Sequence, residues 1–262
     1  MAYLKYWRIR QAIPPSQELV DSYEMANGTT PILGYTDVDH LHPIVNAASG
    51  YDDTNPYVNR DPRFYATVIY NNELYGTING TPYNVQAYVG GFDGILQTLN
   101  THTHNGYYLR KFVDPALYQS ASGSTSWKRF RLAEIYLNYA EAKNEANGPT
   151  GAYAPVNAIR ARVSMPAISS LSQSQLRLRI RNERRVEMSF EENRFWDTRR
   201  WKILDQSDVV STGMQWTKVG ANFTGQRIVV DRRVTSADKF LIFPIPSNEI
   251  TDLPSFIQNP GW

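Results

Sequence analysis

Two groups of residues in this chain are spaced as chemistry would require. Histidine occurs four times, as the pairs His40/His42 and His102/His104, with Asp37 and Asp39 beside the first. On a strand, alternate residues share a face, so such a pair could seat a transition metal. Both pairs lie among loop formers that fix no distance between them, so they read as solvated loop histidines and no metal site is expected. Glu183, Glu187 and Glu191 recur at intervals of four, one line along a helix. Two carboxylates flanking a sugar could cleave a glycosidic bond. Here Arg179, Arg184, Arg185, Arg194, Arg199 and Arg200 occupy the neighbouring lines. An arginine-paired carboxylate is held ionised and makes a poor general acid. The stretch therefore reads as a structural ion-pair lattice of Glu183, Arg184, Glu187, Glu191, Arg194, Asp197 and Arg200, with no catalytic residue. Asp52, Asp53 and Asp61 are oxygen-rich but lack EF-hand spacing. No P-loop, GxGxxG, GxSxG or HExxH motif occurs, and no cofactor is expected.

The elements that must position these residues are mainly helical. Leu171–Asp205 contains no Gly or Pro and reads as one long helix, with Ser172 or Ser174 as N-cap and Leu176/Ile180 and Val186/Phe190 as apolar pairs. Trp127 to Ala146 reads as another, facing inward through Leu132, Ile135, Tyr136, Tyr139 and Ala140 and stopped by Gly148–Pro149. Ala152–Val163 follows, and the two form a tetratricopeptide-type hairpin. A short helix is expected over Gln17–Met25, short strands over Arg63–Tyr70 and Tyr107–Val113, and mixed loop over 206–240 with a strand-like Arg227–Val230. Four prolines after residue 240 suggest an extended tail. The fold class is mainly α with long loops and a few short strands, one domain over 1–262, with 71–126 an aromatic-rich loop region inside it.

Composition narrows the function classes. The net charge of +2, from 27 basic and 25 acidic residues, points to neither nucleic acid nor an anionic membrane as partner. Seventeen Tyr, ten Phe and six Trp make 13% of the chain, enough to fill a core and to present flat rings to a ligand. The absence of cysteine excludes disulfides, thiol catalysis, Cys-ligated zinc and lipid attachment to this chain. No apolar run is long enough to span a bilayer, and MAYLKYWRIRQAIPP does not read as a signal peptide.

Five segments together resemble the C-terminal half of the SusD/RagB family: PSQELVDSYEMANG (15–28), NPYVNRDPRFYATVIYN (55–71), RLAEIYLNYAEAKNEA (131–146), NERRVEMSFEENRFWDTRRW (182–201) and FPIPSNEI…QNPGW (243–262). The resemblance implies a helical fold on tetratricopeptide-like hairpins with a long-loop face. It also implies a non-catalytic, surface-exposed, lipid-anchored outer-membrane protein of Bacteroidetes. Such a protein binds oligosaccharide or polysaccharide and works with a SusC-like TonB-dependent transporter in nutrient uptake. Signal peptide, lipidated cysteine and N-terminal helical half are not in this sequence, which on that reading would leave apolar surface exposed and favour self-association. Sugar faces pack on aromatic rings while amides bind hydroxyls. That nominates Tyr75, Tyr83, Tyr88, Phe92, Tyr107 and Tyr108 as ligand contacts, with Asn79 and Asn84 as polar partners. The alternatives are a transporter-docking part whose ligand site lies mostly in the N-terminal half, and a peptide-cargo homologue.

Overall fold

A computed structural model describes residues 14–78, 81–95, 102–112, 128–207, 209–235 and 237–262. Its helices are α1 (Gln17–Ser22), α2 (Pro62–Thr67), α3 (Leu132–Asn147), α4 (Tyr153–Arg162), α5 (Gln173–Glu187), α6 (Asn193–Arg200), α7 (Leu204–Ser207), α8 (Ala237–Leu241) and α9 (Ser247–Asp252). The described strands pair as antiparallel ribbons: β1 (Ile32–Tyr35) with β2 (Pro43–Val45), β3 (Val68–Ile69) with β6 (Tyr108–Leu109), β4 (Leu74–Ile78) with β5 (Thr81–Asn84), and β7 (Val210–Val219) with β8 (Asn222–Arg232). The fold is mainly helical with long loops, as the sequence pattern indicates.

The helical centre is α3, α4 and α5. Gly148 stops α3, and Ser172 opens α5 with a reciprocal capping box to Gln175. Small Ala140 and Ala152 let the helices approach, and Val156, Ile168, Leu176 and Ile180 fill the contact. Leu137, Ala140 and Asn144 are the buried residues of α3, whereas Leu132, Ile135 and Tyr139 are 62%, 54% and 55% exposed. That corrects the expected inward face for Leu132, Ile135 and Tyr139, while Ala140 is inward as expected. The helix carries two apolar stripes, and α5 takes the one holding the smaller residues.

Four further local expectations change. The run from Arg63 starts as helix α2, because Asp61 accepts from the Arg63 amide at 2.9 Å and Pro62 suits the first turn; only Val68–Ile69 pairs as strand. Leu171–Asp205 is not one helix. α5 ends at Glu187, and Phe190 (φ +62°) and Glu192 (φ +65°) turn the chain through left-handed backbone before α6. The segment read as mixed loop holds the longest ribbon described, β7–β8, with Val210, Thr212, Met214 and Trp216 buried at period two. The tail, too, contains a helical turn, α9.

A second core joins α1, α2 and β7 through aromatic rings. Tyr23, Tyr57, Phe64, Tyr107, Met214 and Trp216 are all buried in it. Tyr57 stands 4.3 Å from Tyr70 and Tyr23 meets Phe64 edge-on at 5.7 Å. Polar fasteners tie the ribbon to α1. Glu18 accepts from the Thr212 hydroxyl at 2.6 Å, and Arg227 donates to Asp21 at 2.6 Å.

Candidate functional site

Arg63 leaves the first turn of α2 aimed at α5. One guanidinium nitrogen donates to Glu183 at 2.5 Å and Glu187 at 3.0 Å, and the other to Asp61 at 2.6 Å. From α4, Arg160 donates to Glu183 and to Glu24, each at 2.9 Å, and Arg162 to Glu187 at 2.8 Å. Arg131, just before α3, bridges Glu187 at 2.5 Å and Glu191 at 2.6 Å, and Lys111 donates to Glu191 at 2.5 Å. Burial alone would push the Glu187 and Glu191 carboxyls up. The guanidinium of Arg131, helped by Arg63 and Lys111, outweighs it and holds both below the ordinary carboxylate range.

Farther along, Arg184 donates to Asp197 at 2.5 Å, and Arg200 joins Asp197 to Glu141. Arg194 lines a cavity at the bend between α5 and α6. The cations that clamp the glutamates come from α2, α4 and the loops, not from the arginines one helical turn away. Arg63, Lys111, Arg131, Arg160 and Arg162 were therefore invisible to a reading by helical spacing.

The nominated aromatic residues divide by exposure. Tyr107 and Tyr108 are 0% and 5% exposed, and Tyr75 lies 9% exposed under the Arg110 guanidinium, 5.1 Å from its ring. The Tyr107 hydroxyl donates to Gln17 at 2.5 Å, and that of Tyr108 to the Asp93 carbonyl at 2.9 Å. Those three are core residues and offer no ring face to a ligand, which corrects the expectation for them. Asn79 lies outside the described residues.

Tyr83, Asn84, Tyr88 and Phe92 sit together on β5 and the loop after it. The Tyr83 hydroxyl donates to the Asp93 carboxylate, which also accepts the Gln86 amide at 2.9 Å. The Gln86 side chain in turn accepts from the Tyr88 hydroxyl at 3.3 Å. The loop closes so tightly that a Cβ on Gly91 would lie 2.3 Å from the Gln86 carbonyl oxygen, and one on Gly94 2.1 Å from that of Tyr88. Phe92 is held outward at its tip, 48% exposed. The Val89 amide donates to the Trp216 carbonyl at 2.8 Å, anchoring the loop to β7. The ribbon then adds two residues. Phe223 packs 5.5 Å from Tyr88, and the Lys218 ammonium stands 5.3 Å and 5.8 Å from the two rings. Asn84 donates to the Asn72 carbonyl at 2.9 Å. The product is an edge of rings with a cation and amides beside it, suited to a ligand with apolar faces and hydroxyl rims. Period-two alternation in β7 was the signal that could have placed Lys218 there, and Phe223 on β8 is its cross-strand partner.

The remaining polar candidates have local work. His40 stacks on Tyr35 at 4.1 Å and contacts Glu18 at 3.3 Å; His42 contacts Asp37 at 3.0 Å. Among the described residues no three His, Asp or Glu side chains gather as a metal-ligating group. Asp52 binds Thr54, Asp53 binds Arg227, and Asp61 caps α2.

The model of the SusD family matches residues 9–262, and the chain belongs to that family. It is 31% identical to a solved SusD-like protein of Bacteroides fragilis, with a TM-score of 0.75 over 95% of this chain and 47% of that one. It is 26% identical to a SusD-like carbohydrate-binding protein of the same organism, with a TM-score of 0.64 over 90% of this chain and 47% of that one. A SusD-like protein of Formosa agariphila is 39% identical over 79 residues, 29% of this chain and 15% of that one. The chain thus spans about half the length of the solved relatives it matches.

Proposed function

We propose that this member of the SusD family is a non-catalytic, oligosaccharide-binding component of a TonB-dependent outer-membrane uptake system, working with a SusC-like transporter at the cell surface. The observation that carries the reading is the ring edge of Tyr88, Phe92 and Phe223, with Lys218 and the amides of Asn84 and Gln86 beside it. Tyr83 acts there through Asp93, which shapes the loop. Kinship with a carbohydrate-binding relative supports glycan as the ligand class. The arginine-clamped state of Glu187 and Glu191 supports binding without hydrolysis, since neither is poised to donate a proton. No described helix is long and apolar enough to cross a membrane, which suits a surface protein held by a lipid in its full-length form.

Calorimetry against a panel of polysaccharides tests this. Tyr88→Ala with Phe92→Ala should weaken binding about tenfold or more at unchanged melting temperature, since each stacked ring contributes about 0.5–1.5 kcal/mol. Unchanged affinity in the folded double variant would sink the assignment, and sugar release on incubation would sink the non-catalytic part.

A second reading has its own observation. Phe130, Leu132, Ile135 and Tyr139 leave an apolar stripe along α3, with Phe130 80% exposed. That surface suits a docking role within a larger assembly, with glycan recognition residing elsewhere. Failure of this chain to bind any glycan that a longer relative binds would favour it.

A further inference from the structure

The bend between α5 and α6 borders a cavity of about 490 Å³, on the other side of Arg185 from the ion-pair hub. Three non-glycine residues with left-handed backbone line it: Phe112 (φ +71°), Phe190 (φ +62°) and Glu192 (φ +65°). Such backbone is unfavourable for side-chain-bearing residues and collects where a site must be shaped. Phe195 adds a further ring, 43% exposed. The walls are therefore aromatic and preset by the chain path.

Arg185 decides what the cavity accepts. It is partly buried in the last turn of α5 and makes no hydrogen bond, ion pair or ring contact among the described residues. Its neighbours Arg184 and Glu187 are both fully engaged. A part-buried guanidinium without a counter-ion supplies a planar fork for two oxygens of a carboxylate or sulfate. The acids on the same wall compete weakly. Glu18 is occupied by Thr212 and His40, and Glu192 sits exposed at the rim. Arg233 adds positive charge at the far edge, although it is over half exposed and shared with Asp231.

We propose that this cavity is a subsite for an acidic sugar, whose carboxylate or sulfate ester is bound by Arg185 while its ring packs among Phe112, Phe190 and Phe195. The sugar identity rests on the glycan-binding reading; the oxyanion preference rests on Arg185 alone.

The test uses the whole chain and follows the Arg185 side-chain Nε–H and the Ser189 amide by NMR. Sodium glucuronate, glucose 6-sulfate, inorganic sulfate and glucose are titrated separately. Saturable shifts with glucuronate or glucose 6-sulfate, at least tenfold weaker with glucose, are expected; which of the two acts tells carboxylate from sulfate ester. In Arg185→Gln, apparent affinity at the Ser189 amide should fall at least tenfold. Equal response to glucose, response to inorganic sulfate only, or no response would overturn the proposal. So would unchanged affinity in folded Arg185→Gln. If that variant does not fold, the titrations of the natural chain decide alone. Binding of uncharged oligosaccharides should weaken about tenfold or more in the Tyr88/Phe92 variant and be kept in Arg185→Gln, so the two readings fail separately.

Discussion

The charged hub around α5 and the ring edge after β5 are built in opposite ways. The hub takes Glu183 and Glu187 out of water and clamps them with guanidiniums from other elements, 23 positions away for Arg160 and 124 for Arg63. Within the edge the braces join residues at most about ten positions apart, Tyr83 and Gln86 to Asp93 and Tyr88 to Gln86, while the Val89 amide anchors the whole loop to Trp216 of β7. In the hub each glutamate is committed to the cations that clamp it. Local bracing leaves Phe92 at the surface and Tyr88 half-buried beside Phe223.

The contrast can be broken most forcefully at Glu187. Removing one member of a buried ion cluster strands the others, a loss of about 3–5 kcal/mol. Glu187→Ala should therefore lower the urea midpoint sharply while leaving glycan affinity per folded molecule unchanged; intact melting with lost binding would invert the two regions' roles. Acid gives the same region a signature. Because the folded Glu187 and Glu191 carboxyls lie below their ordinary value of 4.5, their stabilisation is present above that pH and fades as pH falls through the depressed folded values. Denaturant titrations between pH 3 and pH 6 should show that loss, and Glu187→Gln should flatten part of it.

At the edge, Asp93→Ala should reverse the balance. It releases Tyr83 and the Gln86 amide, so affinity should drop several-fold for a stability change of about 1–3 kcal/mol. A variant that melts early yet binds normally would show that the brace is not what aims the rings. An effect of similar size but opposite pH dependence is expected at Glu73. Burial, only partly offset by Arg110, raises its carboxyl to about 7. Its contribution is complete below the ordinary 4.5 and is lost as pH rises through about 7. Glu73→Gln should gain about 1–3 kcal/mol on the natural chain between pH 5 and pH 8. A gap independent of pH would place the ionisation elsewhere.

What the residues disclosed in advance follows this division. The α3–α4 hairpin and the start of α5 were legible because apolar spacing, Gly148 and the Ser172 cap are local signals. The end of α5 was not, because Phe190 and Glu192 are ordinary residues forced into left-handed backbone by surroundings that spacing does not show. Arg63–Tyr70 misled because a strong N-cap at Asp61 overrode the β-branched run behind it. At the ring edge, Tyr83, Tyr88 and Phe92 could be nominated by type and loop position. Tyr107 and Tyr108 could not be told from them, since core and surface tyrosines look alike until burial is known.

The pairing of Arg63 with α5 also sets a timetable for synthesis. Its two glutamate partners follow it by 120 and 124 positions. At elongation rates of about 5–20 residues per second, a ribosome needs roughly 6 to 24 seconds to deliver them. For that interval the aromatic core around α2 must wait, or assemble with a bare cation at its border. The frame thus cannot close before Glu183 and Glu187 are made, and slowing or truncating translation before Glu183 should leave a protease-sensitive nascent chain even where the residues of α1 and α2 are already made.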